Sequence, residues 1–268
     1  MPYRLFTDQM GNILQVPKKV KRIVSLVPSQ TELLYHLGLE AEVVGITKFC
    51  IYPDEWWRSK TRIGGTKNFN FKAIAALNPD LVIGNKEENY PEGITLLQKK
   101  YAVWMSDIYS FEQALQMIIE VGKLTNRTAI AQQLAQNIEA DFIKMPKANL
   151  SAAYCIWHNP WMAAGGETFI HDLLQRCGFK NVFKNQPRYP IFSLPELVQL
   201  NPEVVILSSE PYPFKTKHAI EIQNALPNTQ VKFIPGEWFS WYGSKLLDAA
   251  PQIANFVQIL TNTTKKST

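Results

Sequence analysis

Residues 77–83 read Leu-Asn-Pro-Asp-Leu-Val-Ile, and residues 200–206 read Leu-Asn-Pro-Glu-Val-Val-Ile. Each copy follows an amphipathic run, at 71–76 and 194–199, and precedes a polar, turn-prone segment. A helix that stops at Asn-Pro and leads at once into a short β-branched run is typical of a helix feeding a strand buried on both faces. Because this half of a parallel α/β unit recurs, we predict two similar α/β lobes with a ligand between them. Two copies of a common motif inside one sheet are the alternative.

The composition is that of a globular protein with a sizeable core. The 268 residues are 46% hydrophobic, which suffices for one large domain or two smaller ones, and no apolar run is long enough to span a bilayer. The net charge of +5 includes only two dense basic clusters, at 18–22 and 265–266, which are more typical of solvated segments than of a nucleic-acid surface. We expect a monomer that binds no nucleic acid and is not embedded in a membrane.

The ends of the chain and its cysteines bear on location. Residues 1–8 contain no apolar segment behind a basic one, so the chain as written is expected in the cytoplasm. Cys50, Cys155 and Cys177 are odd in number and widely spaced, which indicates reduced thiols rather than a disulfide framework.

The order of strand-like and helix-like segments predicts the domain organisation. A leading hairpin spans 3–16, and alternating short strands and helices follow until two long helical stretches at 111–124 and 128–144. We take the second stretch as the connector. The predicted organisation is an N-terminal α/β lobe at 1–125, a connecting helix at 126–147, a C-terminal α/β lobe at 148–260 and a loose tail at 261–268.

Large aromatic residues gather in the segments that follow predicted strands. In open α/β sheets, ligands bind in the crevice at the carboxyl ends of the strands, and aromatic faces suit a large, flat, partly apolar ligand. We expect about half of these residues to face the ligand, since aromatic side chains are often structural. The candidates are Phe49, Tyr52, Trp157, Trp161, Tyr189, Trp238, Trp241 and Tyr242.

Catalytic signatures are thin, and no common nucleophile, zinc or phosphate-loop motif is present. His158, in the loop between two tryptophans, is the best metal-ligand candidate. Cys50, in the matching loop of the first lobe, is the second, and it is also expected among the ligand-binding residues. The pairs Gly64-Gly65 and Gly165-Gly166 are expected to meet a polar edge of the ligand, although turn glycines explain them equally well. No cofactor is required, and a corrinoid or metal chelate is expected as the bound ligand.

The chain contains, in this order, the segments Arg22–Ser29, Thr31–Leu34, Gly64–Thr66, Asn78–Ile83, Asn159–Trp161, Phe169–Leu174, Gly178–Phe183 and Trp238–Gly243. Together these segments are similar to the periplasmic-binding-protein family that captures cobalamin and iron-siderophores. The resemblance covers nearly the whole chain and is closest to the cobalamin-binding branch, the helical-backbone metal receptors. It implies a class III arrangement of two Rossmann-like lobes with parallel sheets joined by one long helix, and a ligand delivered to an ABC permease.

The resemblance also implies site residues. The ligand-facing positions of the cobalamin-binding branch correspond here to Phe49 with Tyr52, Thr66, Asn85, Tyr189 and Trp238. Thr66 and Asn85 stand where that branch presents aromatic side chains, so the pocket is altered.

The docking positions differ as well. Members of the family that dock onto a permease carry an acid seven positions before the proline of the repeat in each lobe. This chain has Lys72 in the first lobe and Pro195, next to Glu196, in the second. A reversed charge at a rim contact repels the partner. The candidates for substitute docking contacts are Glu196, Glu87, Glu88, Glu92 and Glu210.

Two functions remain open at this point. The first, which we prefer, is a solute-binding protein of an ABC-type uptake system that captures a corrinoid, haem-like or metal-chelate ligand and has no enzymatic activity. The second is a cytosolic metal-handling protein or enzyme on the same scaffold, using Cys50, His158 and carboxylates such as Glu167. The aromatic loops favour the first, and a metal-ligand distance between Cys50 and His158 would favour the second.

Overall fold

The computed structural model describes residues 2–264. Its strands are β1 Tyr3–Thr7, β2 Ile13–Pro17, β3 Ile23–Ser25, β4 Val43–Ile46, β5 Thr61–Arg62, β6 Gly64–Gly65, β7 Asn68–Phe69, β8 Leu81–Asn85, β9 Val103–Ser106, β10 Ser151–Trp157, β11 Trp161–Ala163, β12 Lys180–Asn181, β13 Ile191–Phe192, β14 Val204–Ser208 and β15 Gln230–Ile234. Its helices are α1 Pro28–His36, α2 Asp54–Ser59, α3 Phe71–Leu77, α4 Pro91–Gln98, α5 Phe111–Leu124, α6 Thr128–Ile143, α7 Phe169–Arg176, α8 Leu194–Leu200, α9 Thr216–Ala225, α10 Glu237–Ser240 and α11 Lys245–Thr264. None of these helices combines the length and apolar content needed to cross a membrane.

The described chain divides into two compact units. Unit 1 holds residues 2–108, 112–137 and 242–245, and unit 2 holds residues 109–111, 138–241 and 246–264. Between residues 137 and 138, inside α6, the chain leaves unit 1 and enters the longest segment of unit 2. This point lies within the segment predicted as the connector.

Unit 1 is built on a five-stranded sheet in which every neighbouring pair is parallel, in the order β5-β4-β3-β8-β9. The central strands β3 and β8 are buried along their whole length, as the unbroken apolar sequence predicts for a sheet covered on both faces. Val24, Val82 and Val103 belong to one apolar cluster with Ile74 of α3 and Leu97 of α4. The predicted hairpin is present as the antiparallel pair β1-β2.

Unit 2 is built on a second, mixed sheet of six strands in the order β13-β11-β10-β14-β15, with β12 beside β10. The strands β10, β14, β15 and β12 run parallel, whereas β11 and β13 are antiparallel to their neighbours. The parallel part has the predicted architecture, and the fold class is confirmed. The alternative of one continuous sheet is wrong, because the two copies of the repeat lie in different sheets.

The repeat forms the same structure in each unit. Its helix, α3 or α8, ends at an asparagine in the left-handed conformation, Asn78 with φ 43° and Asn201 with φ 42°. Asparagine tolerates this conformation better than other residues with a side chain, and the following proline cannot continue the helix. The strand that follows, β8 or β14, then takes an interior position in its sheet, with a parallel neighbour on each side.

The acid of the repeat fastens this strand to its neighbour. The Oδ2 of Asp80 accepts hydrogen bonds from the backbone N–H groups of Lys21 and Arg22, which enter β3. The Oε2 of Glu203 accepts from the backbone N–H and the hydroxyl of Ser151, the first residue of β10. The motif therefore specifies both the end of the helix and the pairing of the strand.

The closing helix differs from the expected one in extent. Helix α11 continues to Thr264, past the predicted boundary at 260, because Leu260 is buried and keeps this turn packed on the unit. Residues 261–264 of the predicted loose tail are thus helical, and residues 265–268 lie outside the described part of the chain.

Candidate functional site

In unit 1, the loop after β4 presents two exposed rings. Phe49 is 52% exposed and Tyr52 is 47% exposed, although each is large and apolar. The ring of Phe49 lies over Gly65, where a Cβ atom would come within 3.1 Å of the ring carbon Cε2. The Nζ atom of Lys48 lies 5.0 Å from the centroid of the Phe49 ring. A glycine and a lysine therefore hold an exposed aromatic face at the carboxyl end of the strand.

The two positions at which the family presents aromatics are not equivalent. Thr66 is half-buried between β6 and β7, and its carbonyl oxygen accepts a hydrogen bond from Nδ2 of Asn89. Asn85 is only 2% exposed, and its Oδ1 accepts from the backbone N–H groups of Glu87 and Glu88. The amide of Asn85 thus closes the turn after β8, and its contact with a ligand stays a prediction.

Cys50 is fully buried, which does not favour its predicted roles as a ligand contact and metal ligand. The hydroxyl oxygens of Thr31 and Thr47 each lie 3.1 Å from its sulfur. Burial raises the pKa of the Cys50 thiol, so the neutral thiol is favoured over the thiolate that binds metals. Cys155 and Cys177 are also buried, and burial raises the pKa of Cys177 to about 12.

Tyr242 is also buried, at 6% exposure, and belongs to unit 1. Its hydroxyl donates a hydrogen bond to Oε1 of Glu88, and burial raises its pKa well above the usual value. The hydroxyl of Tyr242 therefore fastens residues 242–245 to unit 1, and its contact with a ligand stays a prediction.

In unit 2, the two tryptophans of the loop after β10 have different environments. Trp157 ends the strand and is 39% exposed, and its ring centroid lies 5.4 Å from that of Tyr212 in an edge-to-face arrangement. Trp161 is buried, and its ring stacks on Phe214 with a centroid distance of 5.7 Å. Trp161 thus belongs to the core of unit 2, and only Trp157 remains an exposed candidate.

His158 lies in a cluster of rings. Its Nε2 is 3.5 Å from Oε2 of Glu221, and its ring centroid is 4.6 Å from that of His218. The Nδ1 of His218 accepts a hydrogen bond from the backbone N–H of Lys215, so it has no lone pair left for a metal. Between residues 2 and 264, no group of three or more His, Cys, Asp or Glu side chains is arranged to hold a metal ion. In the described part of the chain, His158 therefore has too few neighbouring ligands to support the predicted metal site.

The segment after β15 contains a tryptophan fixed by a carboxylate. The indole nitrogen of Trp241 donates a hydrogen bond of 2.8 Å to Oε1 of Glu210, and the hydroxyl of Ser240 lies 3.4 Å from the same atom. Burial, and then the charge of Glu237, raises the pKa of Glu210. Trp238 and Trp241 are both half-buried. Glu210 therefore supports Trp241 within unit 2, and its docking role stays a prediction.

Tyr189 and the glycines before α7 lie in one region of unit 2. Tyr189 is half-buried, with the guanidinium of Arg188 5.4 Å from its ring centroid and equally far from the ring of Tyr109. The backbone N–H groups of Gly165 and Gly166 donate to the carbonyl oxygens of Arg188 and Gln186. These N–H groups are thus used inside the protein, and the prediction that backbone groups of the pair meet the ligand stays a prediction. The exposed Glu167 belongs to the same turn, where its carbonyl oxygen accepts from Arg188.

The Gly64-Gly65 pair is also structural. The two glycines form β6, paired with β7, and Gly64 has a φ of 98° that disfavours other residues. Its carbonyl oxygen accepts a hydrogen bond from the backbone N–H of Lys48. The pair therefore positions the loop that contains Phe49.

Among the proposed docking acids, Glu87, Glu92 and Glu196 are exposed, as are Lys72 and Pro195. Glu196 accepts hydrogen bonds from the backbone N–H and the hydroxyl of Ser193, as part of the capping box of α8. The backbone hydrogen bond from Ser193 lowers the pKa of Glu196. Glu196 thus remains charged at neutral pH and has a structural role of its own.

Sequence reasoning missed the side chains that orient these rings. Glu210 supports Trp241, and Tyr212 supports Trp157. The segment 209–215 could have indicated this role, since it follows the second copy of the repeat and contains Tyr212 and Phe214. The second copy of the repeat predicts a loop after its strand. It does not predict the partners of the side chains in this loop, because Trp157 and Trp241 are distant in sequence.

Comparison with known proteins agrees with this architecture. The family model described as periplasmic binding protein matches residues 23–237. An uncharacterized ABC transporter substrate-binding lipoprotein, YvrC, of Bacillus subtilis is 25% identical over 269 residues, covering 93% of this chain and 84% of that protein. The vitamin B12-binding protein of Salmonella paratyphi A is 25% identical over 270 residues, covering 95% and 98%.

Among solved structures, the periplasmic heme-binding protein RhuT of Roseiflexus sp. RS-1 has a TM-score of 0.76 and 19% identity, covering 90% of this chain and 99% of that chain. This likeness concerns the fold, which is the one that the repeat predicts. Because the family model matches residues 23–237, which is more than half of the chain, the chain belongs to the periplasmic binding protein family.

Proposed function

We propose that this chain captures a corrinoid, haem-like or metal-chelate ligand and delivers it to an ABC-type permease. Membership of a family of solute-binding proteins supports the class of function, and relatives named for vitamin B12 and heme support the class of ligand. A ligand of this kind is large, flat and partly apolar, so aromatic faces on post-strand loops would bind it.

The observation that carries the proposal is the exposure of rings on these loops. Phe49 and Tyr52 in unit 1 and Trp157 in unit 2 are 39–52% exposed, whereas Trp56 and Trp104 are fully buried. Leaving large apolar faces in water forgoes the stabilisation that burial provides, at roughly 25 cal/mol per Å². A bound ligand recovers that stabilisation. Trp238, Trp241 and Tyr189 are half-buried and complete the candidate set.

The test is a titration of the purified chain with cobalamin, cobinamide, haem and ferric chelates, followed by absorption spectroscopy and calorimetry. We expect one of these ligands to bind, and Trp157→Ala to weaken its affinity. Trp57→Ala is the matched control, because Trp57 is equally exposed at 39% but lies in α2, where Arg62 covers its ring. The absence of binding for all four ligands would contradict the proposed ligand class.

Docking to a permease and location in the cell envelope belong to the same proposal. Glu87, Glu92 and Glu196 are the exposed acids that would replace the family's docking positions, now occupied by Lys72 and Pro195. We expect Glu87→Lys with Glu92→Lys to reduce cellular uptake of the titrated ligand while leaving its affinity unchanged. Fractionation of cells that express the complete gene tests the location.

A further inference from the structure

The leading hairpin has two chemically different faces. Leu14 and Val16 point inward and are at most 7% exposed, and the guanidinium of Arg4 donates hydrogen bonds to the carbonyl oxygens of Lys123 and Leu124 at the end of α5. These contacts fix the inner face of the hairpin to unit 1. The outer face is therefore presented on a firm support.

Three large apolar side chains lie on this outer face. Tyr3 is 52% exposed, Leu5 is 69% exposed and Ile13 is 75% exposed. In the β1-β2 register, Tyr3 and Leu5 are two positions apart on one strand, and Ile13 pairs with Thr7, the next residue on the same face. We call these three residues the hairpin face. Grouped exposed apolar residues, unlike scattered ones, mark an interaction surface.

The charge around the hairpin face is positive. Lys18 and Lys19 follow β2 directly and are exposed, and the backbone N–H of Lys18 donates to the carbonyl oxygen of Pro2, next to Tyr3. At the other end, Lys100 lines a cavity of about 500 Å³ together with Ile13 and Gln15. Lysines thus border the apolar group at both ends.

No carboxylate in the hairpin offsets these lysines. Asp8 is the only acid between residues 2 and 20. It is buried, and its side chain accepts hydrogen bonds from the backbone N–H groups of Met10, Asn12 and Met105. The exposed charge of the hairpin is therefore positive and comes from its lysines.

We infer that the hairpin face is a docking surface for an anionic lipid membrane. Apolar side chains that enter the boundary between headgroups and acyl chains, bordered by lysines that face the headgroups, are the chemistry that binds such a surface. A second copy of the chain fits less well, because a symmetric contact through this face would bring the lysines of both copies together. Ligand capture does not require this surface, so the inference stands apart from the proposed function.

The experiment is co-sedimentation of the full chain with vesicles of phosphatidylcholine alone and of phosphatidylcholine with about one-third phosphatidylglycerol. We expect binding to the anionic vesicles that weakens as salt is raised. Leu5→Gln with Ile13→Gln should reduce the bound fraction at least roughly tenfold, since the apolar contact is lost. Lys18→Gln with Lys19→Gln should reduce binding to the anionic vesicles and leave any binding to the phosphatidylcholine vesicles unchanged.

Two matched controls separate the face from general surface chemistry. Ile143→Gln replaces an isoleucine that is also 75% exposed, at the end of α6, and Lys180→Gln with Lys184→Gln removes two exposed cations of unit 2. Both controls should bind vesicles like the unaltered chain. Equal binding by Leu5→Gln with Ile13→Gln, or no binding to anionic vesicles, overturns the inference. A self-association that this double substitution abolishes would assign the face to a second copy instead.

Discussion

The Oε1 atom of Glu210 lies 2.8 Å from the indole nitrogen of Trp241, which donates its hydrogen bond to it. This contact joins the loop after β14 to the segment after β15, so two neighbouring strands of unit 2 share one support for an aromatic side chain. Glu210 is half-buried beside a second acid, Glu237, and its pKa is raised by burial and then by that neighbouring charge.

We predict that Glu210→Gln stabilises unit 2 at neutral pH but not in acid. Because the folded state raises the pKa of Glu210, this side chain's contribution to stability is fully present below the unfolded value and is lost as the pH rises through the folded one. Glutamine keeps an acceptor for Trp241 without the charge. Thermal unfolding at about pH 4 and about pH 7 measures the difference, with Glu92→Gln as an exposed control. Destabilisation at both pH values would contradict this assignment.

Acid should destabilise the chain through His218. The Nδ1 of His218 accepts a hydrogen bond from the backbone N–H of Lys215, and its Nε2 is 3.3 Å from the hydroxyl of Tyr212. The ring centroid of His158 lies 4.6 Å from that of His218. Burial, followed by the charges of His158 and Lys217, lowers its pKa below 6.5, while Glu221 opposes them. Stability is therefore present above that value and lost as the pH falls through the lower folded pKa.

The substitution His218→Asn should flatten this acid dependence, measured by urea unfolding between about pH 7 and about pH 5. His36→Asn, at an exposed helix end, should leave the dependence unchanged. An unaltered slope in the first variant would show that His218 does not carry the effect.

The left-handed asparagines of the repeat should be replaceable by glycine but not by alanine. Asn78→Ala and Asn201→Ala each place an ordinary side chain at a φ near 42°, at a cost of about 1 kcal/mol. Asn78→Gly and Asn201→Gly lose the same amide without the steric penalty, so they serve as matched controls. Equal free energies of unfolding for the alanine and glycine variants would refute the conformational argument.

The acid of the repeat should matter through its acceptor oxygens. We expect Asp80→Ala to lower the free energy of unfolding by about 1–2 kcal/mol, because two backbone N–H groups at the start of β3 lose their acceptor. Asp80→Asn keeps one acceptor oxygen and should cost less. Denaturant unfolding measures both, and an equal cost would point to charge rather than to hydrogen bonding.

Trp238→Ala should weaken ligand binding at least roughly fivefold without unfolding the chain, since an aromatic anchor at a binding surface carries more than an average share of the affinity. Calorimetric titration with the ligand selected among cobalamin, cobinamide, haem and ferric chelates measures the change. Phe233→Ala, which removes a 49% exposed ring from β15 in the same unit, is the control. An unchanged affinity would remove Trp238 from the site.

The repeat was predictable because its rules are local. Asn-Pro ends a helix and a β-branched run forms a strand wherever they occur, so α3-β8 and α8-β14 follow from a few adjacent residues. The direction of a loop side chain is not local. Trp161 is buried because Phe214, far along the chain, offers a ring to stack on, and Asn85 is buried because the turn after β8 needs its amide. Phe49, Tyr52 and Trp157 are not enclosed in this way and remain 39–52% exposed, and their contact with a ligand stays a prediction.

The burial of Cys50, Cys155 and Cys177 has a practical consequence. Thiol reagents attack accessible thiolates, and the native chain offers them no accessible cysteine. A single cysteine introduced by Ile13→Cys could therefore be labelled selectively with a fluorescent maleimide, without first removing the natural cysteines. A cysteine introduced beside Phe49 could be labelled in the same way. One label would then detect binding at the hairpin face and the other binding at the loop after β4.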